Sequence, residues 1–388
     1  MKAICFFLTI ITFLSCNLDK WDLEDQSNQL IPNYSLTIEG LVCNESFNTN
    51  IYALDNNSFV TAIEDGNSVI KIVKVKQILN GEKWNLSYEV LWSNQGSPLI
   101  GFEKVKENYF ISYVSNGWPK TEKFDKEFKI IRTFDTFEPF IDTFYNDISE
   151  LSFVSMITDT SKGLYLTGQL TSFSKTYSCV FKMDTDLKPV FVKTYFENDT
   201  ITALCPLDND RFIVLNQHIN DMSLILDNKD GKSYKKYNLG FNEAFNYANL
   251  IQLKGKLYLT GSITSGTGKT LEITLENKNA FISDVKNYEI KGISSKASSR
   301  NTLLLSGVTQ KENIQYSFLT EYKDRNYLWC NEYQGYDFTR SLSIHEAPDV
   351  GLVYLFIVKK EDKHYLHFIR TDEEGATIEN PYDLNCLL

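Results

Sequence analysis

The feature that most limits the folds open to this chain is a short apolar strand that recurs seven times. It reads "FVTAIEDG" from Phe59, "YFISYVSNG" from Tyr109, "LYLTGQ" from Leu164, "FIVLNQH" from Phe212, "LYLTGS" from Leu257, "LLLSGVT" from Leu303 and "VYLFIVKK" from Val353. Successive starts lie 50, 55, 48, 45, 46 and 50 residues apart. A period of that size means one supersecondary unit repeated, each copy burying its faces on its neighbours. The runs are rich in β-branched and aromatic residues and lack apolar spacing at three and four, so the unit is made of strands and not helices. Within a unit the order is constant: "SFVSMIT" from Ser152 leads into "LYLTGQ", then a hairpin, "YSCVFKMD" from Tyr177, a polar turn and "VFVKTY" from Val190.

Four strands in each of seven units predict an all-β protein, a seven-bladed β-propeller of four-stranded antiparallel blades over residues 34–388. Coverage of both blade faces explains why Leu303 to Leu305 is apolar without alternation. An open ring would expose two sheet edges. The segment "YSLTIEGLVC" from Tyr34 to Cys43, within residues 34–46, is a spare strand for closing the last blade; the tail "ATIENPYDLNCLL" from Ala376 competes for that place. This unit, with its Gly-containing second strand and Asp-rich turn, resembles the repeats of secreted bacterial propellers of the quinoprotein-like and delta-60 kind. The resemblance implies a fold and very little about activity.

The polar turns after the third strands include Asp184-Thr-Asp-Leu, Asp227-Asn-Lys-Asp-Gly231, Glu276-Asn-Lys-Asn, Tyr322-Lys-Asp-Arg-Asn326 and Asp372-Glu-Glu-Gly375. Asp and Asn there accept backbone hydrogen bonds, and Gly or Asn tolerates positive φ. They read as turn formers, and no single turn converges the carboxylates that a calcium ion needs, so no metal is expected.

The N-terminus carries an address. Lys2 precedes an apolar run from Ala3 to Leu14, then Ser15 and Cys16. The run is shorter than the roughly 20 residues of a membrane span and fits a signal peptide over residues 1–15. The residues "FLSC" from Phe13 resemble a bacterial lipobox, with Phe13 where that family prefers Leu. The resemblance implies that Cys16 becomes the first mature residue and carries acyl chains, each methylene contributing about 0.8 kcal/mol to anchoring. An ordinary secretory peptide with an incidental cysteine is the alternative. Residues 16–33 hold Asp19, Asp22, Glu24 and Asp25 in a flexible acidic stretch, similar to the export tether of surface lipoproteins in the Bacteroidetes. The expected location is the outer membrane, lipid-anchored and surface-exposed, with periplasm-facing attachment or a plain linker as the other reading.

A net charge of −11 with no basic stripe argues against nucleic acid as a partner. Nucleotide binding is not expected either. The segment ending in Gly266 to Thr270 imitates a phosphate loop, but Ile263 stands where its first glycine belongs, and the paralogous Tyr165 to Phe181 keeps the flanks without the glycines. Of 7 cysteines, Cys5 is in the signal peptide and Cys16 is the lipid site; Cys43, Cys179, Cys205, Cys330 and Cys386 show no CxxC spacing. Cys179 reads as a small core residue. Cys43 and Cys386 flank the folded region, and a disulfide between them would close the ring.

No enzyme signature assigns a catalytic residue or a cofactor. There is no Asp-box of the sialidase kind, no Gly-x-Ser-x-Gly elbow and no His-Glu-x-x-His pair. His218, His345, His364 and His367 do not cluster, and His364 and His367, three apart on a strand, point to opposite faces. A glycosidase-like carboxylate pair drawn from distant loops stays open as the hydrolase alternative. For a binding or scaffold protein, the informative residues are ring side chains in loops. One propeller face receives Trp92, Trp118, Phe173, His218 and the insertion Asp135 to Ser149 with Phe137, Phe140, Phe144 and Tyr145. Exposed rings at a mouth suit a glycan or an envelope protein partner. Alternatively, each tucks under its own loop, or the insertion forms a short helix that plugs a gap between blades.

Overall fold

In the computed structural model, residues 34–375 are described, apart from positions 46, 81–82, 136, 138–147, 160–162, 198, 208–210, 219–220, 229–234, 241–242, 264–266, 277–278, 289, 312–313, 350 and 374. The leader, Cys16, the tether, Phe140, Tyr145 and Cys386 lie outside the described residues. Seven four-stranded antiparallel sheets form the blades of a propeller. Blade 1 holds β2 (Ile51–Asp55), β3 (Ser58–Glu64), β4 (Val69–Asn80) and β5 (Lys83–Gln95). Blade 2 holds β6 (Leu99–Val105), β7 (Asn108–Ser115), β8 (Trp118–Phe124) and β9 (Ile130–Phe134). Blade 3 follows with β10 (Ile148–Asp159), β11 (Gly163–Ser172), β12 (Lys175–Met183) and β13 (Pro189–Glu197), and blade 4 with β14 (Thr200–Pro206), β15 (Arg211–His218), β16 (Asp221–Asn228) and β17 (Lys235–Asn238). Blade 5 comprises β18 (Phe245–Leu253), β19 (Lys256–Ile263), β20 (Gly268–Glu276) and β21 (Asn279–Tyr288); blade 6 comprises β22 (Ile290–Ala297), β23 (Leu303–Lys311), β24 (Ile314–Lys323) and β25 (Asn326–Tyr333).

Blade 7 joins both ends of the ring. Its first three strands are β26 (Asp337–Glu346), β27 (Leu352–Lys360) and β28 (Lys363–Thr371), and its fourth is the N-terminal β1 (Tyr34–Cys43), antiparallel to β28. Buried Tyr34, Ile38 and Leu41 pack into a core that runs from Val353, Leu355 and Phe368 of blade 7 into blades 1 and 2. His367 fastens the seam. Its ring is fully buried, one nitrogen 2.9 Å from Ser35 Oγ and the other 2.9 Å from Thr37 Oγ1, and burial pushes its pKa down to about 3.

The repeated strands are the second of each blade, and β3, β27 and most of β11 are buried on both faces because neighbouring blades cover them. The glycine of "LYLTGQ" has a local cause: a Cβ on Gly168 would stand 1.9 Å from Ser152 O of β10, where that strand bulges. At Asp184 the turn chemistry is as the residue types require, with Oδ1 accepting from the backbone N–H of Asp186 and of Lys188, each at 2.8 Å.

Asp227 corrects that simple picture of the turns. It is buried at the end of β16 and ion-pairs with Lys193 of blade 3, so it joins blades as well as accepting the backbone N–H of Asn228 at 2.8 Å. The same register position on the third strand, opposite the start of the second, is a buried charge in six blades: Lys123, Lys182, Asp227, Glu272, Glu321 and Arg370. Blade 1 has Val75 there. Several of these charges reach the turn of the next blade. Lys123 Nζ lies 3.0 Å from Asp186, Glu272 accepts from Arg325 Nη2 at 3.2 Å, and Glu321 accepts from Arg300 Nη2 at 2.9 Å while the same nitrogen donates to Glu373 O at 3.1 Å. A buried charge is tolerated only when paired, so these clasps fix how each blade seats on its neighbour.

Candidate functional site

The first strand of every blade faces the ring axis, and each carries a register shift, for example between Phe153 and Ser155, Ile201 and Ala203, and Phe245 and Tyr247. A bulge re-aims side chains, here toward an axial channel of about 550 Å³. Its wall is mostly amide, hydroxyl and aliphatic, including Asn50, Thr202, Asn246, Asn249, Ser294 and Ser341, with Glu103 and Arg340 as the charged groups among its lining residues. Arg340 is already engaged, donating to Asn48 Oδ1 at 2.8 Å and to Phe47 O at 3.3 Å. Thr202 Oγ1 is buried without a hydrogen-bond partner.

Glu103 belongs to a polar cluster assembled across the axis. From β6 its carboxylate accepts hydrogen bonds from Asn50 Nδ2 at 2.8 Å, Tyr52 OH at 2.7 Å and Thr158 Oγ1 at 3.4 Å, tying the inner strands of blades 1, 2 and 3. Burial pushes its pKa up to about 7 against the lowering effect of Tyr52, Lys296, Thr158 and Asn50. Tyr52 is held protonated, its pKa raised by burial and by the Glu103 charge. Across the axis, half-buried Lys296 of β22 lies 3.4 Å from Nδ1 of His345 on β26. Burial lowers the Lys296 pKa, with Glu103 and Glu346 opposing. Burial, together with Lys296, Lys104 and Arg370, pushes His345 down to about 3, so its ring is neutral at physiological pH. His345, Tyr52 and Lys104 line a second cavity of about 510 Å³ on the face of the first-to-second strand turns, beside Ser299, Arg300 and Glu346.

None of these axial groups stands out in the sequence as a functional residue, because they come from five blades far apart in the chain. The described candidates, Trp92, Trp118, Phe173 and His218, stand elsewhere, on the face of the second-to-third strand turns, and among the described residues no ring contact joins them. Trp92 on β5 is partly buried, 5.3 Å from the Phe124 ring and 5.9 Å from Tyr113, and so wedges blade 1 against blade 2. Trp118 is likewise partly buried against the core of blades 2 and 3. Phe137 of the insertion is buried between Phe134, Phe153 and Phe181, at ring distances of 4.6, 5.4 and 4.9 Å. Phe173, at the tip of the β11–β12 hairpin, is 65% exposed. His218 is exposed at the end of β15, and its Nδ1 lies 2.7 Å from Oδ1 of the buried Asp199.

Of the expected Cys43–Cys386 bridge, Cys386 lies outside the described residues. Cys43 is a free, buried thiol on β1 opposite His364, its pKa pushed up to about 12 by burial, and Cys179 and Cys205 are also free and buried. Cys330 is disulfide-bonded, with its partner outside the described residues. The Lys269-Thr270 pair opens strand β20 instead of a helix, and Lys269 ion-pairs with Glu243. Among the described residues no group of three or more His, Cys, Asp or Glu converges to hold a metal ion, and no helix is long and apolar enough to cross a membrane.

No family model matches the chain, and no curated protein matches it. Among solved structures, a protein of unknown function from Bacteroides caccae is similar over 71% of this chain and 93% of its own, at 10% identity and a TM-score of 0.44. The Dos1 propeller aligns over 81% of this chain and 76% of its own, at 10% identity and a TM-score of 0.48. The sialidase of Trypanosoma rangeli, in complex with sialic acid, aligns over 87% of this chain and 57% of its own, at 12% identity and a TM-score of 0.43. At these identities and TM-scores neither a family nor a role follows from the likeness.

Proposed function

We propose that this chain is a lipid-anchored propeller of a bacterial outer membrane, exposed at the cell surface, that binds a neutral glycan in its axial channel without chemically altering it. The observation that supports this reading is the channel wall. Amide and hydroxyl groups such as Asn50, Thr202, Asn246, Asn249, Ser294 and Ser341 both donate and accept, which matches sugar hydroxyls. An ionic ligand would ask for net charge that the wall does not carry. Val154, 53% exposed and part of the same wall, offers an apolar surface for the C–H face of a sugar ring. The volume of about 550 Å³ is within the range of small-ligand sites.

A glycosidase-like hydrolase on the same fold is the second reading, and Glu103 favours it, since a carboxyl raised to about 7 suits a general acid. Glycoside hydrolysis needs two carboxyl groups across the scissile bond. Glu103 is the one carboxyl among the described residues that line the channel, and both of its oxygens already accept hydrogen bonds. Glycan-array binding by the wild type, lost in Asn249→Leu and kept in Glu103→Gln, is the expected result. Turnover of a glycoside that disappears in Glu103→Gln would favour the hydrolase. Binding indifferent to Asn249→Leu but lost in Phe173→Ala would overturn the channel reading and move recognition to the rim, where an envelope protein partner would dock.

A further inference from the structure

Cys330 is disulfide-bonded, while Cys43, Cys179 and Cys205 are free thiols. Three cysteines remain as its partner: Cys5, Cys16 and Cys386. Under the leader reading Cys5 is cleaved away and Cys16 carries the acyl chains, which leaves Cys386. The course of the chain after blade 7 points the same way without that reading. Past β28 the Glu373 carbonyl accepts from Arg300 Nη2 at 3.1 Å, and the Gly375 carbonyl accepts from Asn331 Nδ2 at 2.9 Å and from Tyr333 OH at 3.0 Å. A Cβ on Gly375 would run into the Trp329 ring, so the backbone there lies directly on β25, the strand that carries Cys330.

Trp329, Asn331 and Tyr333 alternate with Cys330 along β25, so they stand on the opposite face of the blade from it. Trp329 and Tyr333 pack with Phe338 and Tyr354 of blade 7, whereas Cys330 packs with Tyr258 of blade 5. β25 is also the last strand of its sheet, and among the described residues its outer edge pairs with no other strand. We propose that Cys330 is bonded to Cys386 and that the C-terminal segment is strapped around this edge, from the blade 7 face at Gly375 to the blade 5 face at Cys330. Such a strap covers a row of backbone donors and acceptors otherwise open to a strand of another molecule. Eleven residues lead from Gly375 to Cys386, an extended reach of about 36 Å, against the roughly 10 Å that separates facing sheets. To form the bond each thiol loses its hydrogen. The two electrons and two protons pass to a disulfide oxidant, whose own S–S bond breaks to two thiols as the new one closes.

The full chain, purified without reductant, alkylated in denaturant and digested, tests the pairing. The expected product is the Cys330 peptide joined to the Cys386 peptide, two hydrogens lighter than the separate pair and split by a phosphine. A bond from Cys330 to Cys16 would overturn this proposal and the lipid anchor together. Alkylated Cys330, or Cys330 joined to any other cysteine of this chain or of a second copy, would overturn this proposal alone. Limited chymotrypsin digestion, read after reduction, tests the strap: cleavage at Tyr382 is expected to be on the order of tenfold faster in Cys386→Ser than in the wild type. Equal rates would overturn the strap. The wild-type peptide map decides the pairing even if the variant fails to fold.

Discussion

Acidification should unfasten the clasp at Glu272 in a way that a single substitution isolates. The Glu272 side chain accepts from Lys256 Nζ at 2.7 Å, Ser283 Oγ at 2.8 Å, Tyr258 OH at 3.2 Å and Arg325 Nη2 of the next blade at 3.2 Å. Burial pushes its pKa up, but Lys256, Ser283 and Arg325 outweigh burial and hold it at about 2, against an ordinary value of 4.5. A folded value below the unfolded one means that the unfolded chain takes the proton first. The stabilisation is therefore complete above about 4.5 and is lost as pH falls toward 2. That gap is worth about 3 kcal/mol at most, since Lys256 and Arg325 are partly exposed and screened, and about 2 kcal/mol of it is gone by pH 3. His345 and His367, each with a pKa near 3, also lose stability as pH falls below about 6.5, but they do so in any variant that leaves them intact. Urea unfolding followed by tryptophan fluorescence at pH 6 and pH 3, in the wild type and in Glu272→Gln, separates the two effects. The loss between the two pH values should be smaller in the variant by about 2 kcal/mol. Equal losses in both proteins would refute the argument that this carboxylate is charged and clasped in the fold.

Other outcomes follow from the same structure. Arg370 is fully buried and ion-paired with Asp349, with Nε and Nη1 lacking other partners, so Asp349→Ala should cost about 3–5 kcal/mol in urea unfolding. Pairing Asp349→Ala with Arg370→Met should recover most of that loss. Peptide mapping without reduction should find Cys43, Cys179 and Cys205 as free thiols and Cys330 in a cross-linked peptide. In a bacterial host, Cys16→Ala should abolish incorporation of labelled palmitate and release the protein from the membrane fraction; retained label would refute the anchor.

The fold was legible because a propeller writes itself into its second strands. "LYLTGQ" and "LYLTGS" are β11 and β19 in different blades, and burial on both faces gives each such strand a composition that recurs. Which segment closed the ring was not legible, since the strand from Tyr34 and the tail from Ala376 both offered extended sequence. Tyr34, Ile38, Leu41 and the Ser35–His367–Thr37 contact show what β1 contributes there, and that contact joins residues about as far apart as the chain allows. Loop aromatics were ambiguous for a physical reason. A tryptophan near a hairpin end can serve a ligand or the wedge between blades, and Trp92 and Trp118 are partly buried in the wedge. The Glu103–Lys296–His345 cluster gave no local signal. Each member sits in a first strand among ordinary residues, and only the ring brings blades 2, 6 and 7 together across the axis. The ionic clasps were half legible: acids after the third strands were recognised as turn formers, while the reach of Asp186, Arg325 and Glu373 into the preceding blade depends on how the blades stack.

A crystal structure of the protein soaked with a neutral oligosaccharide bears most directly on the proposed role. Density for a sugar ring in the axial channel, hydrogen-bonded to residues such as Asn50, Thr202 and Asn249 and leaving its glycosidic bonds intact, is the predicted result. Sugar bound at the Phe173 rim with an empty channel, or cleaved sugar beside Glu103, would contradict it.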